Sequence, residues 1–161
     1  MANLKIEILQ EPPFSSLEEE AMLNLLRSAD RLARAFQQII RGWGLTTTQY
    51  NVLRILRGAH PGGLACAALG ERMIAAEPDM TRLLARLKRR KLIRQHRDRR
   101  DRRVVLTTIA AAGLELLQAM DPVVLNSPRE LLGHLRRAEL TELIRLLEQV
   151  RTPEAEPPAP E

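Results

Sequence analysis

The most informative segment of the sequence is PDMTRLLARLKRRKLIRQHRDRRDRRVVLTT, residues 78–108. Its first half repeats leucines at three- and four-residue steps, which predicts an amphipathic helix over residues 78–91. Its second half places the charged heptad RDRRDRR, residues 97–103, between two short β-prone runs. A disordered basic tail would need no ordered apolar neighbours, so this pattern predicts a hairpin with the heptad as its tip.

Positive charge is concentrated in the same stretch. Residues 82–103 contain twelve Lys and Arg and two Asp, whereas the whole chain of 161 residues has a net charge of +5. Arg82, Arg86 and Arg89 share the polar side of the predicted helix, with no acidic residue to form i,i+4 pairs. A face of one sign indicates a polyanionic partner. An aromatic content of 2% argues against a surface that stacks single-stranded bases.

The rest of the chain is predicted to be mostly helical. Residues 1–15 form a short arm that ends at Pro12-Pro13 before any helix starts. Ser16 and Glu19 fit a capping box at the start of the first helix. Apolar spacing predicts helices at about residues 17–42, 46–58, 65–73, 110–121 and 137–151, with an interruption at Pro122. Residues 152–161 contain four Pro and three Glu and are predicted to be a disordered tail.

This order of elements predicts a mainly α-helical fold with a small β wing. A winged helix-turn-helix domain, residues 45–108, would be embedded in a helical dimerisation region, residues 16–44 and 109–151. The terminal helices contain more leucine than a lone winged domain can bury, which favours packing against a second copy. The basic helix suits the major groove of DNA, about 12 Å wide, and a wing arginine suits the narrow minor groove.

Four segments resemble the MarR family of bacterial winged-helix transcription regulators. They are LTTTQYNVLRIL (45–56), LACAALGERM (64–73), PDMTRLLARLKRRKLI (78–93) and DRRDRRVVLTTIAAAG (98–113). The last one fits the family's wing pattern of Asp-x-Arg-Asp-x-Arg followed by Leu-Thr and then Gly. The resemblance implies a homodimer whose two winged domains sit on successive major grooves of a pseudo-palindromic operator, with half-site centres about 34–36 Å apart.

The resemblance also implies which residues contact DNA. In the recognition helix they are Thr81, Arg82, Arg86 and Arg89, with Arg89 nearer a phosphate. In the wing they are Arg99, Arg100, Arg102 and Arg103. Arg100 or Arg102 would enter the minor groove, while Asp101 and Arg103 would brace the hairpin. Phosphate contacts set affinity and base contacts set sequence choice, and the division between the arginines stays open.

Two positions depart from the family pattern. Glu77, before Pro78, is a poor N-cap where a small polar residue is expected, which leaves the start of the recognition helix open. Lys91 stands where many members have Gly. This removes an easy helix stop and could alter the tilt of the wing.

Regulation by a ligand is a further expectation from the resemblance. Many relatives change their DNA affinity when a small, often phenolic, effector binds between the dimer region and the winged domain. Trp43, Tyr50 and His60 lie in segments that could line such a cleft, although residues of these types more often serve packing alone. Cys66 is the only cysteine and is predicted to be a packed thiol. Oxidant sensing by a cysteine near the start of the first helix is disfavoured.

Other function classes find little support in the sequence. His60, His96, His134 and Cys66 show no metal-ligand spacing, so neither a metal nor a cofactor is predicted. The chain has no phosphate-binding loop, nucleophile elbow or H-E-x-x-H motif, so it is not predicted to be an enzyme. Because it has neither an apolar run of membrane-spanning length nor a secretory start, we expect a cytoplasmic protein with no membrane partner.

The sequence therefore predicts a homodimeric, sequence-specific transcription regulator. A repressor is favoured over an activator, because binding over a promoter blocks polymerase without extra parts. Two alternatives stay open. A non-specific nucleoid-type protein would use the same charge for phosphate contacts only, and a helical adaptor would dock its basic segment on an acidic protein.

Overall fold

The computed structural model describes residues 3–152, of which residues 3–127 form one compact unit and residues 128–152 a second. The helices are α1 (Leu4–Glu7), α2 (Leu17–Arg41), α3 (Thr47–Gly58), α4 (Cys66–Gly70), α5 (Met80–Arg89), α6 (Ala111–Leu132) and α7 (Arg137–Arg151). The strands are β1 (Leu64–Ala65), β2 (Ile93–Arg97) and β3 (Val105–Ile109). The predicted fold class, mainly helical with a small β wing, is confirmed. The predicted tail lies outside the described residues apart from Thr152.

The arm before α2 differs from the prediction. Residues 4–7 form one helical turn, so the expectation that no helix starts before Pro12 is wrong. Asn3 caps this turn, with its Oδ1 accepting a hydrogen bond from Lys5 N at 3.0 Å. Leu4 is buried, whereas Ile6 is exposed. A local side-chain cap is therefore sufficient to start one helical turn in the segment that was predicted to be a plain arm.

α2 begins where the sequence predicts, with a modified cap. Ser16 Oγ accepts a hydrogen bond from Glu19 N at 3.1 Å. The Glu19 carboxylate accepts bonds from Ser15 N at 2.6 Å and from Ser15 Oγ at 2.7 Å, one residue earlier than a capping box requires. The bonds from the Ser15 hydroxyl and backbone lower the pKa of Glu19.

The loop between α2 and α3, residues 42–46, is held by side chains from both helices. Gln37 on α2 donates from Nε2 to Leu45 O at 3.0 Å and accepts from Thr47 N at 2.9 Å. Thr46 and Gln49 form a complete capping box, in which each side chain accepts a hydrogen bond from the other residue's backbone. The end of α2 and the start of α3 are therefore fixed relative to each other.

The three strands form an antiparallel sheet in the order β1–β3–β2. β2 pairs with β3 from Ile93 opposite Ile109 to Arg97 opposite Val105, which makes the predicted hairpin. The two-residue strand β1 pairs Leu64 with Thr107. Ala65 of β1 was predicted to start a helix, and α4 is accordingly shorter than expected. Two residues are too few to leave an alternating pattern in the sequence.

α5 starts at Met80, two residues later than predicted. Its N-cap is Asp79, whose Oδ1 accepts a hydrogen bond from Arg82 N at 2.9 Å. Pro78 therefore precedes the cap instead of occupying the first turn. The unfavourable cap at Glu77 that the sequence suggested does not arise, since the small polar residue stands two positions later.

Lys91 ends α5 in the manner of a glycine. It adopts a left-handed conformation with φ of 59°. Lys91 N donates to Lys88 O at 2.9 Å, and Leu92 N donates to Leu87 O at 3.1 Å. This pair of bonds is the Schellman motif, which usually has Gly at the left-handed position. The helix stop is therefore present, at a steric cost of about 1 kcal/mol for a residue with a Cβ atom.

α6 continues through Pro122, where an interruption was predicted. A proline inside a helix removes one backbone hydrogen bond and crowds the preceding turn. Leu117, Met120 and Val124 are buried on the two sides of this proline and belong to one hydrophobic core. Their packing holds the helical course across the site. Arg57 of α3 also donates from Nη1 to both carboxylate oxygens of Asp121, at 2.9 and 2.8 Å.

Gly113, in the first turn of α6, is packed against the start of the hairpin. A Cβ atom there would lie 2.8 Å from Ile109 Cγ1 and even closer to the carbonyl oxygen of Leu92. Ala110 N donates a hydrogen bond to that same carbonyl at 2.9 Å. The start of α6 therefore lies against β2 and β3 in a space that excludes any side chain at position 113.

Candidate nucleic-acid interface

α5 presents a continuous cationic face. Leu83, Leu84 and Leu87 are buried in the hydrophobic core. The residues on the other side are exposed, namely Thr81, Arg82, Arg86 and Arg89. None of these three arginine side chains has a hydrogen-bond or ion-pair partner within residues 3–152. Each guanidinium group thus keeps its donors free for an acceptor outside the chain, such as a phosphate or a guanine edge.

Two aspartates set the shape of the wing tip. Asp98 Oδ1 accepts hydrogen bonds from Arg100 N at 2.6 Å and from Asp101 N at 3.3 Å, and Asp98 N donates to Val104 O at 2.9 Å. The bonds from Arg100 N and Asp101 N lower the pKa of the Asp98 carboxyl. Asp98 therefore holds the tip mainly through backbone hydrogen bonds, and the charge of Arg100 also contributes to its lowered pKa.

The wing arginines divide into braced and free residues. Arg103 donates from N and Nε to Asp101 Oδ1 at 3.0 and 3.3 Å, in the bracing arrangement that the sequence predicted. Arg97 donates from Nη1 to Arg102 O at 3.0 Å. The remaining side chains at the tip, those of Arg99, Arg100 and Arg102, are exposed and have no hydrogen-bond or ion-pair partner in the described chain. These three are available to a ligand without breaking an existing contact.

Arg90 differs from the other arginines of this region. Its Nη1 donates to Gly44 O at 2.6 Å and its Nη2 to Trp43 O at 3.3 Å. These carbonyls belong to the loop between α2 and α3, far away in sequence. The charge count of the sequence grouped Arg90 with its neighbours, but in the structure its exposed guanidinium group binds two carbonyl groups of the same chain.

A pocket of about 280 Å³ lies between α2, α3 and the segment that leads to α5. Its walls are mainly apolar, and the lining residues are Ala33, Phe36, Thr47, Thr48, Tyr50, Asn51, Arg54, Met73, Ile74 and Ala75. The rings of Phe36 and Tyr50 meet edge to face, with centroids 5.5 Å apart. Burial raises the pKa of the Tyr50 phenol, which stays neutral at physiological pH. The polar groups at this pocket are hydroxyl, amide and guanidinium groups.

Only one of the three residues proposed for a ligand cleft lines this pocket. Tyr50 does so, whereas Trp43 packs against the hydrophobic core and His60 is exposed after the end of α3. Sequence analysis missed Asn51 and Arg54, although both share a helical face with Thr47, a spacing that could have revealed them. Asn51 Oδ1 accepts a hydrogen bond from Ile74 N at 3.0 Å, which ties α3 to the segment before α5.

Cys66 is exposed at the start of α4, so the prediction of a packed thiol is wrong. Only Leu69 of this short helix is buried, and the apolar pattern overestimated its packing. Within residues 3–152, no three His, Cys, Asp or Glu side chains come together as a metal site. In the same range, no helix is long and apolar enough to cross a membrane.

Comparison with known proteins places this architecture among regulators of transcription. The MarR family model matches residues 43–104 of the chain. The MarR transcription factor from Planctomyces limnophilus is 42% identical, with 84% of this chain and 98% of that chain covered and a TM-score of 0.65. No curated protein is similar enough to the chain to count as a match.

Two further solved structures resemble the chain. Bordetella bronchiseptica BpsR, whose DNA binding is regulated by 6-hydroxynicotinic acid, is 29% identical, with 83% of this chain and 99% of that chain covered and a TM-score of 0.72. A mutant MarR from E. coli complexed with operator DNA is 23% identical, with 84% and 99% covered and a TM-score of 0.73. This last similarity concerns the fold.

Proposed function

Because the chain belongs to the MarR family of DNA-binding transcription regulators, we propose that it acts as a homodimer on a pseudo-palindromic operator in the cytoplasm of a bacterium. Members of this family are regulators and not enzymes. The proposal depends chiefly on the unpaired arginines of α5 and of the wing tip. Repression is the favoured outcome, because a dimer over a promoter blocks polymerase without further parts.

α5 and the wing would contact different parts of the duplex. α5 has ten residues, and an α-helix with its side chains is about 10–12 Å in diameter, so it fits a major groove about 12 Å wide. Arg82 and Arg86 would approach base edges or phosphates there, with Thr81 at the first turn and Arg89 nearer the backbone. The wing tip would place Arg100 or Arg102 in the minor groove, where a narrow groove attracts arginine. Arg99 would bind the adjoining phosphates, and Arg103 would chiefly brace the tip.

A homodimer is supported by apolar side chains that a single chain leaves exposed. Met22 and Leu26 lie one turn apart on α2 and are 55% and 58% exposed. Ile144 and Val150 on α7 are 57% and 65% exposed. A second copy would bury such surfaces. The proposed division of the chain is residues 16–44 and 109–151 for dimerisation, and residues 45–108 for DNA binding, with residues 1–15 as an arm.

Selection from a pool of random DNA duplexes tests this function. At about 150 mM salt, where non-specific phosphate contacts are weakened, we expect recovery of an inverted repeat with half-site centres about ten base pairs apart. Sedimentation of the complex should give two chains for each duplex. A pool that stays random while binding collapses with salt would instead indicate a non-specific nucleoid-type protein. A chain that binds no duplex would favour the protein adaptor.

We further propose that a small aromatic acid occupies the pocket between α2 and α3 and weakens operator binding. The apolar walls suit an aromatic ring, and Arg54 supplies a cation for an acidic group. The relative BpsR responds to such a compound, 6-hydroxynicotinic acid. The pocket wall includes Ile74, and the same segment continues to Asp79, the cap of α5. A ligand that displaces this wall would thus disturb the start of the recognition helix.

The effector proposal is tested with 6-hydroxynicotinic acid and its neutral amide as probes. We expect the acid to release the operator and the amide to act at least tenfold more weakly, because only the acid pairs with Arg54. Arg54→Ala should lower the affinity for the acid about tenfold and leave operator binding without ligand unchanged. Arg31→Ala, an exposed arginine on α2 outside the pocket, is the control. If the acid releases the operator equally well from the Arg54 variant and from the parent, this pocket is not the effector site.

A further inference from the structure

Arg89 and Arg90 are neighbours with opposite roles. Arg89 is the last residue of α5, and its side chain has no partner in the described chain. Arg90 is the C-cap, and its guanidinium group binds two carbonyl groups of the α2–α3 loop, which lie 46 and 47 positions earlier in the chain. Because the two arginines are adjacent but only Arg90 has bonds within the chain, Arg89 serves as a control for substitutions of Arg90.

The two carbonyl groups have no other partner from the backbone. Among the backbone hydrogen bonds of residues 3–152, none ends on Trp43 O or Gly44 O. Both groups follow the C-terminal end of α2, where the dipole of a 25-residue helix is negative and favours a cation. A planar guanidinium group can donate to two acceptors at once, whereas an ammonium group offers a single point charge. Arginine at position 90 therefore supplies hydrogen bonds to both of these loop carbonyl groups.

We propose that Arg90 is a positioning residue that fastens the C-terminal end of α5 to the loop ending α2, and that it does not contact DNA. The proposal rests on the DNA-binding function proposed above. The bonds from Arg90 set the angle at which α5 presents Arg82 and Arg86. Since α2 also carries the pocket residue Phe36 and the exposed Met22, Arg90 joins the helix that meets ligand and partner to the helix that reads DNA.

Salt dependence separates a positioning residue from one that binds a phosphate. Removal of one arginine–phosphate pair lowers the slope of log affinity against log salt by about 0.9. We expect Arg90→Ala to weaken binding to the selected operator about tenfold with an unchanged slope. Arg89→Ala, the matched control, should reduce the slope by about 1.8, because the homodimer loses one such pair in each of its two chains. The operator affinity of Arg90→Lys should lie between those of Arg90→Ala and the parent, since lysine keeps the charge but lacks the planar guanidinium group.

Trp43 gives a readout that does not require DNA. It is the single tryptophan of the chain, and its own carbonyl accepts the bond from Arg90. We expect Arg90→Ala to shift its fluorescence emission in the DNA-free protein and Arg89→Ala to leave it unchanged. Circular dichroism tests whether each variant is folded. If Arg90→Ala does not fold, the same measurements are made on Arg90→Lys.

Two results would overturn the positioning role. A salt slope that falls in Arg90→Ala as it does in Arg89→Ala would mean that Arg90 binds a phosphate. Unchanged affinity and unchanged Trp43 emission would mean that the bonds to the loop have no effect on α5. If the parent selects no operator, the proposed function fails, and Trp43 emission then decides by itself whether Arg90 holds the loop.

Discussion

Gly113→Ala is expected to lower the free energy of unfolding by about 3 kcal/mol, the range of a severely overpacked core. The added methyl group would lie 2.8 Å from Ile109 Cγ1 and closer still to the Leu92 carbonyl oxygen. That oxygen cannot retreat freely, because it accepts the hydrogen bond from Ala110 N. Relief of the clash would separate the start of α6 from β2.

Urea denaturation followed by circular dichroism measures this destabilisation. Gly58→Ala is the matched control, since it adds the same methyl group to another helix where no atom lies within 4 Å. Alanine favours helix over glycine by about 1 kcal/mol, so Gly58→Ala should be neutral or stabilising. Equal stability of Gly113→Ala and the parent would show that α6 can shift at no cost.

Replacing both Arg100 and Arg102 by alanine is expected to weaken operator binding by about 30- to 100-fold, which corresponds to about 2–3 kcal/mol, or one charge-assisted hydrogen bond. Both side chains are exposed and unpaired within the described chain. The hairpin should keep its shape, because these residues contribute only main-chain atoms to it. Arg100 N donates to Asp98, and Arg102 O accepts from Arg97, and alanine retains both atoms.

Fluorescence anisotropy with the selected duplex, at constant salt, measures the wing effect. Arg145→Ala is the control, since this exposed arginine pairs with Glu142 on α7, outside the proposed DNA-binding region. Arg82→Ala provides a contrast, because removing a residue that reads a base should broaden the selected sequence more than it weakens phosphate binding. If the double variant binds as tightly as the parent and remains dimeric, the wing does not reach DNA.

Elements with local signals could be predicted from the sequence. The cap at Ser16 marked the start of α2, and alternating residues beside a charged tip marked the hairpin. α1 and β1 could not be recognised in this way. One depends on a single cap at Asn3, and the other on pairing of Leu64 with Thr107, more than forty positions away. Long-range pairing leaves no periodic trace in so short a strand.

The candidate site was predictable to the extent that it follows from helical geometry. The positions of Arg82, Arg86 and Arg89 on the outer face of α5 follow from their spacing and the buried leucines. The role of Arg90 does not, because it depends on carbonyl groups that only the tertiary fold brings near. Counting charges treats Arg89 and Arg90 alike, and only a folded chain distinguishes a free cation from a structural one.

Asp98 has a consequence for how strongly the wing can bind. Ordering the backbone of a loop costs about 1–2 kcal/mol of conformational entropy per residue. The bonds of Asp98 to the backbone of Arg100, Asp101 and Val104 impose that order when the chain folds. A preorganised tip gives up little further freedom on meeting a duplex, so its interactions contribute more fully to affinity. Although the acidic side chain of Asp98 repels phosphate, it would in this way increase the affinity of the neighbouring arginines for DNA.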